Sequence, residues 1–541
     1  MLYFIPAWYK NDNRWEEKEQ NWHVRRMHTE YDDTVKQIQL FHRNNASPYK
    51  ILLLSYTPNF RHFLHRQGVF HAPYWSCFDA IQEVERTKAA LLSFHNLDWP
   101  KNTEFVYSPF AVLAYLNGEK FAKIEFGEDG NPIEIDMYVK DEISRRNIYD
   151  DRGFLSATII FENGQPKYTD FLTEKGYLKM RVYENDKHVE VNPSMAYYLL
   201  TDGETVKRVA MKSIMYGSLD DLILEVLKAH AEAFSREDIF CVAMHSKHNS
   251  VVSKALDGHK IILSFFGDRY KLRNHPEDAK MIKNADYVIT ESKETSDFVN
   301  KVLGIELQRM IDISPFDTRI DQGISQQLHV QKILVPVDDL PSGRFEEMVP
   351  YLAEYLSINE HARIHIFTRN AEFGLPDKLL VQVKNILEDY GYPTGWAIEE
   401  KKDIAENDFD DLLMEDEEID EVVPIRFFVE QCVSELEVSK CMREQRIMVD
   451  MSEIPDLYLQ INCVSTGIPQ IVKRETPYSI KGQNAIIVEG VKELIPSLKY
   501  YLDGLTHWNE AMIASFNIGS ENTTKNLLNK WKEVIETIGK G

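Results

Sequence analysis

Cysteine is scarce in this sequence, and clustered positive charge is missing. Five cysteines, Cys77, Cys241, Cys432, Cys441 and Cys463, are scattered through 541 residues without a C-x-x-C pair. That spacing suggests neither a zinc site nor a disulfide framework and predicts reduced thiols in a cytoplasmic protein. No run of Lys and Arg is longer than a pair such as Arg25-Arg26 or Arg145-Arg146, and 62 basic against 86 acidic residues leave a net charge of −24. A surface of that sign repels phosphate backbones and anionic headgroups, so nucleic acid is not an expected partner. No stretch approaches the roughly 18–20 apolar residues of a membrane span. The opening Met1-Leu2-Tyr3-Phe4-Ile5-Pro6 lacks the basic start of a signal peptide. Fixed-period repeats are absent as well.

What is present is an ordinary globular composition, 43% apolar and 11% aromatic, in a chain too long for one hydrophobic core. Buried-strand runs such as Ile51-Leu52-Leu53-Leu54, Ile239–Met244 and Lys260–Phe265 alternate with helical stretches such as Asp33–Phe41 and Leu219–Phe234, the pattern of a Rossmann-like parallel sheet. Between about Glu104 and Val191 the texture changes to short alternating runs separated by Asn117-Gly118, Asp129-Gly130 and Asn163-Gly164. Such pairs tolerate the positive φ of tight hairpins and predict an inserted antiparallel meander. A second α/β series starts at Lys332–Val337. The expected organisation is a first Rossmann-like domain from residues 1–100 and 200–325, an inserted β-sheet domain at 101–199, a second Rossmann-like domain at 326–515 and a C-terminal helix at 516–541. Within Glu406–Glu421 ten of sixteen residues are acidic. That run reads as a solvated loop or helix face, or else as a partner-binding patch.

The most informative stretch runs from Arg446 to Leu502: strand Ile447–Asp450, loop Met451–Pro455, helix Asp456–Ser465, then Thr466-Gly467-Ile468-Pro469, strand Gln470–Val472 and the glycine loop Lys481-Gly482-Gln483-Asn484. A helix N-terminus following a strand presents unpartnered N–H groups and a partial positive charge, which suits a nucleotide diphosphate. The order of Ser452, the helix, Gly467-x-Pro469 and Gly482-x-Asn484 resembles the donor-binding half of retaining GT-B glycosyltransferases. The resemblance implies two Rossmann-like domains facing across a cleft. It also implies two glutamates eight positions apart, the second five residues before the glycine. Those positions here are Ile454 and Asn462, and isoleucine offers no hydrogen-bond acceptor. Where the family neutralises the diphosphate with Arg and Lys, this chain has Val337-Asp338-Asp339 and only Arg344 nearby.

The resemblance narrows further. Tyr3-Phe4-Ile5-Pro6, Tyr31-Asp32-Asp33-Thr34, Phe63-Leu64-His65-Arg66-Gln67 and Asp150-Asp151-Arg152-Gly153-Phe154 together are closely similar to the family of first accessory secretory proteins of the accessory Sec system. That similarity implies a noncatalytic component of adhesin export in the cytoplasm, recruited to the membrane translocase. The implied partners are the second and third accessory secretory proteins, a dedicated SecA-type ATPase and a serine-rich repeat glycoprotein cargo; no cofactor or metal is implied. The alternative expectation is an active transferase that modifies the adhesin from a sugar nucleotide.

The candidate relict pocket comprises Ser452, Asn462, Gly467, Pro469, Gly482, Arg344 and His245. Two readings stand side by side: these residues persist because the fold needs its caps and turns, or they retain a weak carbohydrate site. His245, following a strand, reads as a sugar contact or base, or as a loop histidine. Asp150-Asp151 reads as a carboxylate pair or, more simply with Arg152-Gly153 following, as an ion-paired turn. Trp8, Tyr9, Tyr74, Trp75 and Phe78 read as core or as stacking surfaces for sugar rings.

Overall fold

The computed structural model describes residues 1–9, 14–17, 32–109, 111–202, 205–397 and 424–540; the acidic run Glu406–Glu421 lies outside them. The chain divides into two units, one of Met1–Pro315 with Leu528–Gly541 and the other of Phe316–Leu527. No helix among the described residues is long and apolar enough to cross a membrane.

The first unit opens with β1 (Leu2–Ile5), β2 (Tyr49–Leu53) and β3 (Tyr74–Ser76). The insert follows as β4 (Thr103–Tyr107), β5 (Ala111–Leu116), β6 (Glu119–Phe126), β7 (Pro132–Val139), β8 (Glu142–Asp150), β9 (Phe154–Glu162), β10 (Gln165–Leu172), β11 (Leu178–Tyr183) and β12 (Val189–Val191). The unit continues with β13 (Tyr197–Asp202), β14 (Thr205–Ala210), β15 (Met215–Tyr216), β16 (Ile239–Ala243), β17 (Lys260–Phe265), β18 (Tyr287–Thr290) and β19 (Met310–Asp312). Seven of these strands form one parallel sheet in the order β19-β18-β17-β16-β1-β2-β3. Its central strands are covered on both faces, so β1 and β16 are buried at every residue and read as unbroken apolar runs. The expected meander is a ten-stranded sheet in the order β15-β12-β11-β10-β9-β8-β7-β6-β5-β4. Its turns use the asparagine and glycine pairs that the sequence offers: Asn117 and Gly118 have φ of 53° and 81°, Asn163 and Gly164 of 53° and 73°.

Buried ion pairs tie the insert to the parallel sheet's helices. The Arg152 guanidinium, in the turn between β8 and β9, meets Asp150 at 2.7 Å and Asp79 of the helix Cys77–Gln82 at 2.7 Å. Asp151 accepts the backbone N–H groups of Arg61 at 2.7 Å and His62 at 3.1 Å. Gly153 sits at φ 86°, and a Cβ there would collide with the Ala90 carbonyl oxygen. Fully buried Lys179 donates to Glu83 at 2.7 Å and to the Met195 carbonyl at 2.6 Å. The sequence reading of Asp150-Asp151-Arg152 as an ion-paired turn therefore describes the hub of this junction.

The second unit is a six-stranded parallel sheet in the order β22-β21-β20-β23-β24-β25, built from β20 (Gln331–Pro336), β21 (Ala362–Thr368), β22 (Phe427–Gln431), β23 (Ile447–Asp450), β24 (Gln470–Val472) and β25 (Ala485–Ile487). Both units are thus Rossmann-like, with the fold class expected from the sequence. The edge strand β22 and the helix after it, Glu435–Glu444, were not legible there, because they follow the acidic run and carry charge themselves.

Replacing Arg152 by Met would leave the almost fully buried Asp150 without its counter-charge. Removing one partner of such a pair costs about 3–5 kcal/mol, so the urea midpoint of the first unit should fall markedly in R152M and recover in part in D150N/R152M. A change below about 1 kcal/mol, the cost of a surface pair, would mean that Arg152 is not a hub.

Candidate functional site

In an open parallel sheet, ligands gather at the carboxyl ends of the strands, where helix N-termini point their unpartnered N–H groups. In the second unit those ends are Pro336, Thr368 and Asp450, and the segments that leave them converge by hydrogen bonding. Asp338, beyond β20, accepts from the Thr368 hydroxyl and from the Arg369 backbone N–H at 2.7 Å. The Arg369 guanidinium is ion-paired with Asp456. Asp456 is not the first residue of the helix, as expected, but its N-cap: it is extended at φ −78°, ψ 95° and accepts from the Leu459 N–H at 3.1 Å, ahead of the helix Leu457–Thr466. The helix N-terminus that the sequence suggested for a diphosphate carries a carboxylate and its arginine.

Further negative charge lines the same strand ends. Asp450, 2% exposed at the end of β23, accepts from the Ser452 N–H at 2.9 Å. Burial pushes its carboxyl up to about 6, against the pull of the Ser452 hydrogen bonds, and the carboxylates of Asp456 and Asp339 push in the same direction.

Each sequence-predicted residue of the second unit has a structural task there. Ser452 is buried beside Asp450. Asn462 Nδ2 donates to the Tyr458 carbonyl at 2.7 Å, one helical turn back. Gly467 closes the helix at φ 77°, where a Cβ would meet Met512 and Phe516 at 2.8 Å. The Pro469 carbonyl accepts the Met448 N–H at 3.1 Å, and the Gly482 N–H, at φ 72°, donates to Ala485 at 3.1 Å. Arg344 opens the helix Arg344–Ile358 and pairs with Glu347 of its own first turn at 3.5 Å. Ile454 is 56% exposed and brings no acceptor. Arg369 and Asp456 were missed by sequence reasoning. Their signals were an arginine directly after a buried strand and an aspartate directly before an apolar helix.

His245 belongs to the first unit, where the same arrangement recurs. Asp32 caps the helix Asp33–Asn44 by accepting the Thr34 N–H at 2.9 Å, and it also accepts the Trp8 indole N–H at 3.0 Å. Arg269 pairs with Asp32 at 3.2 Å and with buried Asp33. Burial alone would raise the Asp33 carboxyl, but the Arg269 charge and hydrogen bonds outweigh it and hold it low. His245 accepts the Lys247 N–H on Nδ1 at 3.1 Å, its own N–H donates to Asn249 at 3.0 Å, and its ring lies 5.1 Å from Tyr9. Neighbouring His248 donates from Nε2 to the Ala243 carbonyl at 2.7 Å and accepts the Tyr9 hydroxyl on Nδ1 at 2.9 Å. Burial first, then the charge of His245, lowers His248 to about 3, so it stays neutral. Trp8, Tyr9, Trp75 and Phe78 are buried in the core. A cavity of about 440 Å³ in this unit is lined by Trp15, Tyr56, Phe171, Glu184, Asp220 and Lys247 among others.

Comparison with known proteins places the chain among described families. The family model for the first accessory secretory protein of the accessory Sec system matches residues 1–537. A Streptococcus gordonii protein of the same description is 31% identical over 99% of this chain and 99% of its own length. Among solved structures, a complex of accessory secretory proteins 1, 2 and 3 from Streptococcus pneumoniae contains a chain that is 26% identical, with a TM-score of 0.79 and full coverage of both chains. The pneumococcal O-GlcNAc transferase GtfA, solved with UDP and GlcNAc, is 11% identical at a TM-score of 0.68 over 99% of this chain and 98% of its own; that likeness concerns the GT-B fold alone.

Asp450 gives the site a pH signature. Its folded carboxyl titrates above the unfolded value, so the native state holds the extra proton between about pH 4 and 6 and stability falls as pH rises through that window. Asp450→Asn keeps an acceptor for Ser452 and removes the charge. It should stabilise the second unit by about 3 kcal/mol at pH 7, with the difference vanishing near pH 4, as read from urea midpoints across pH. An equal difference at both pH values would refute a buried, strained carboxylate.

Proposed function

The chain belongs to the family of first accessory secretory proteins of the accessory Sec system, and on that premise we propose that it serves adhesin export as a noncatalytic, glycosyltransferase-like subunit that binds its partners and glycan-bearing cargo. The observation that carries the noncatalytic part is the Arg369–Asp456 pair at the N-terminus of the helix Leu457–Thr466. A transferase must neutralise the developing diphosphate of its donor with free N–H groups and cations. Here the cap is a carboxylate, the arginine serves that carboxylate, and Asp338 and Asp450 add more negative charge. The two positions where the fold family uses glutamates hold Ile454 and Asn462, and Asn462 is spent on its own helix.

The partners follow from the relatives. The pneumococcal structure holds accessory secretory proteins 1, 2 and 3 together, which supports the second and third accessory secretory proteins as partners here. Family membership extends the proposal to the SecA-type ATPase and the serine-rich repeat glycoprotein, with the work done in the cytoplasm and at the membrane translocase. The cavity lined by Trp15, Tyr56 and Phe171, with Glu184, Asp220 and Lys247 at hand, is suited to a sugar, whose C–H faces favour aromatic walls and whose hydroxyls favour charged groups.

The test is to incubate the protein with UDP-GlcNAc or UDP-glucose and a serine-rich acceptor, alone and with the second and third accessory secretory proteins. The expected result is co-elution of the three proteins and binding of the glycosylated acceptor, with no consumption of donor. Catalytic turnover of donor would overturn the noncatalytic reading in favour of an active transferase, and failure to co-elute would overturn the partner assignment.

A further inference from the structure

In the second unit, the carboxyl end of edge strand β22 and the helix Glu435–Glu444 bring together three side chains that the cysteine spacing gave no reason to connect. A carboxylate oxygen of Glu430 and the sulfurs of Cys432 and Cys441 all lie within 4.8 Å of one another. Glu430 and Cys432 are two residues apart along extended chain, so their side chains share a face. Cys441 reaches them from the helix, whose start is fixed by a capping box between Ser434 and Glu437.

The three groups are held. The Cys432 N–H donates to the Thr368 carbonyl at 2.9 Å, extending the ladder between β21 and β22 by one residue. The Gln445 side-chain amide donates to the Cys441 sulfur at 3.5 Å. His365 on β21, 4% exposed, contacts Glu430 at 2.8 Å through Nδ1 and orients the carboxylate. The nearby Lys332 ammonium is paired with Glu444 at 2.5 Å, so its charge is answered outside the cluster.

We propose that Glu430, Cys432 and Cys441 form a zinc site, in which Zn²⁺ is bound by two thiolates and one carboxylate with water in the fourth position. Soft sulfur ligands with one carboxylate in a tetrahedral set select zinc over magnesium or calcium. Zn–S bonds of about 2.3 Å place two tetrahedral sulfurs about 3.8 Å apart, so the sulfur–sulfur separation need contract by no more than about 1 Å. As each Zn–S bond forms, the thiol releases its proton to solvent and no electron is transferred. The His365–Glu430 contact supplies the outer hydrogen bond that ligating carboxylates characteristically have. Cys432 is buried, while Cys441 and Glu430 are partly exposed, which gives an ion a route from solvent. The bound metal would staple the end of edge strand β22 to the following helix.

The full-length chain, reduced and stripped of metal, should be titrated with Co²⁺, whose thiolate complexes absorb by charge transfer. The expected result is a thiolate-to-cobalt band that saturates at one equivalent and is abolished by one equivalent of Zn²⁺. The band should be lost in Cys432→Ser/Cys441→Ser, and His365→Phe should weaken Zn²⁺ binding roughly 10–100-fold. Absence of the band from the parent protein at one equivalent would overturn the proposal, whatever the folding of the variants. So would a band that survives in the double serine variant, since it would then belong to the buried Cys77, Cys241 or Cys463.

Discussion

Arg369 and Asp456 meet where the second sheet presents a helix N-terminus to its own carboxyl edge, and that contact sets what this edge can bind. Parallel strands joined by helices necessarily aim unpartnered N–H groups at that edge. Those groups must be satisfied by a ligand, by water or by the chain itself. Here the chain does it, with Asp456 as the cap and Arg369 as its counter-ion. The first unit solves the same problem in the same way, with Asp32 as cap and Arg269 bridging Asp32 and Asp33. In each unit an arginine is drawn into a carboxylate pair at a helix N-terminus.

This separates scaffold from chemistry. The GT-B scaffold needs its caps, its positive-φ glycine at Gly467 and the turn at Gly482, and each is present with a backbone function. Sugar transfer needs free cations and acceptors at fixed positions, and on the proposed noncatalytic reading the Arg369–Asp456 pair takes up such a position. Fold and function diverge most easily in this manner, because polar residues at strand ends can change while the buried strands β20 and β23 stay as they are.

Much of the architecture was legible because its signals are local. Unbroken apolar runs mark β1 and β16, and asparagine–glycine pairs mark the hairpins of the insert. Less legible were elements too short or too polar to carry a period, such as β3 with three residues, the β13–β14 hairpin, and β22 with its half-exposed side chains. At the second unit's strand ends the sequence drew attention to Ile454, Asn462 and Asp338-Asp339, but not to the Arg369–Asp456 pair. Arg369 and Asp456 lie 87 residues apart, and only the adjacency of β21, β20 and β23 brings their ends to one edge. Cys432 and Cys441 escaped for a related reason: their nearness depends on a helix folding back onto an edge strand, which no cysteine spacing encodes.

Whether the second unit's strand ends are filled by the chain's own charges is read from calorimetric titration of the full-length protein with UDP. The expected result is no saturable binding tighter than about 1 mM. Saturable micromolar binding of UDP that is abolished by Arg369→Ala would contradict it, since Arg369 would then leave Asp456 to serve a phosphate.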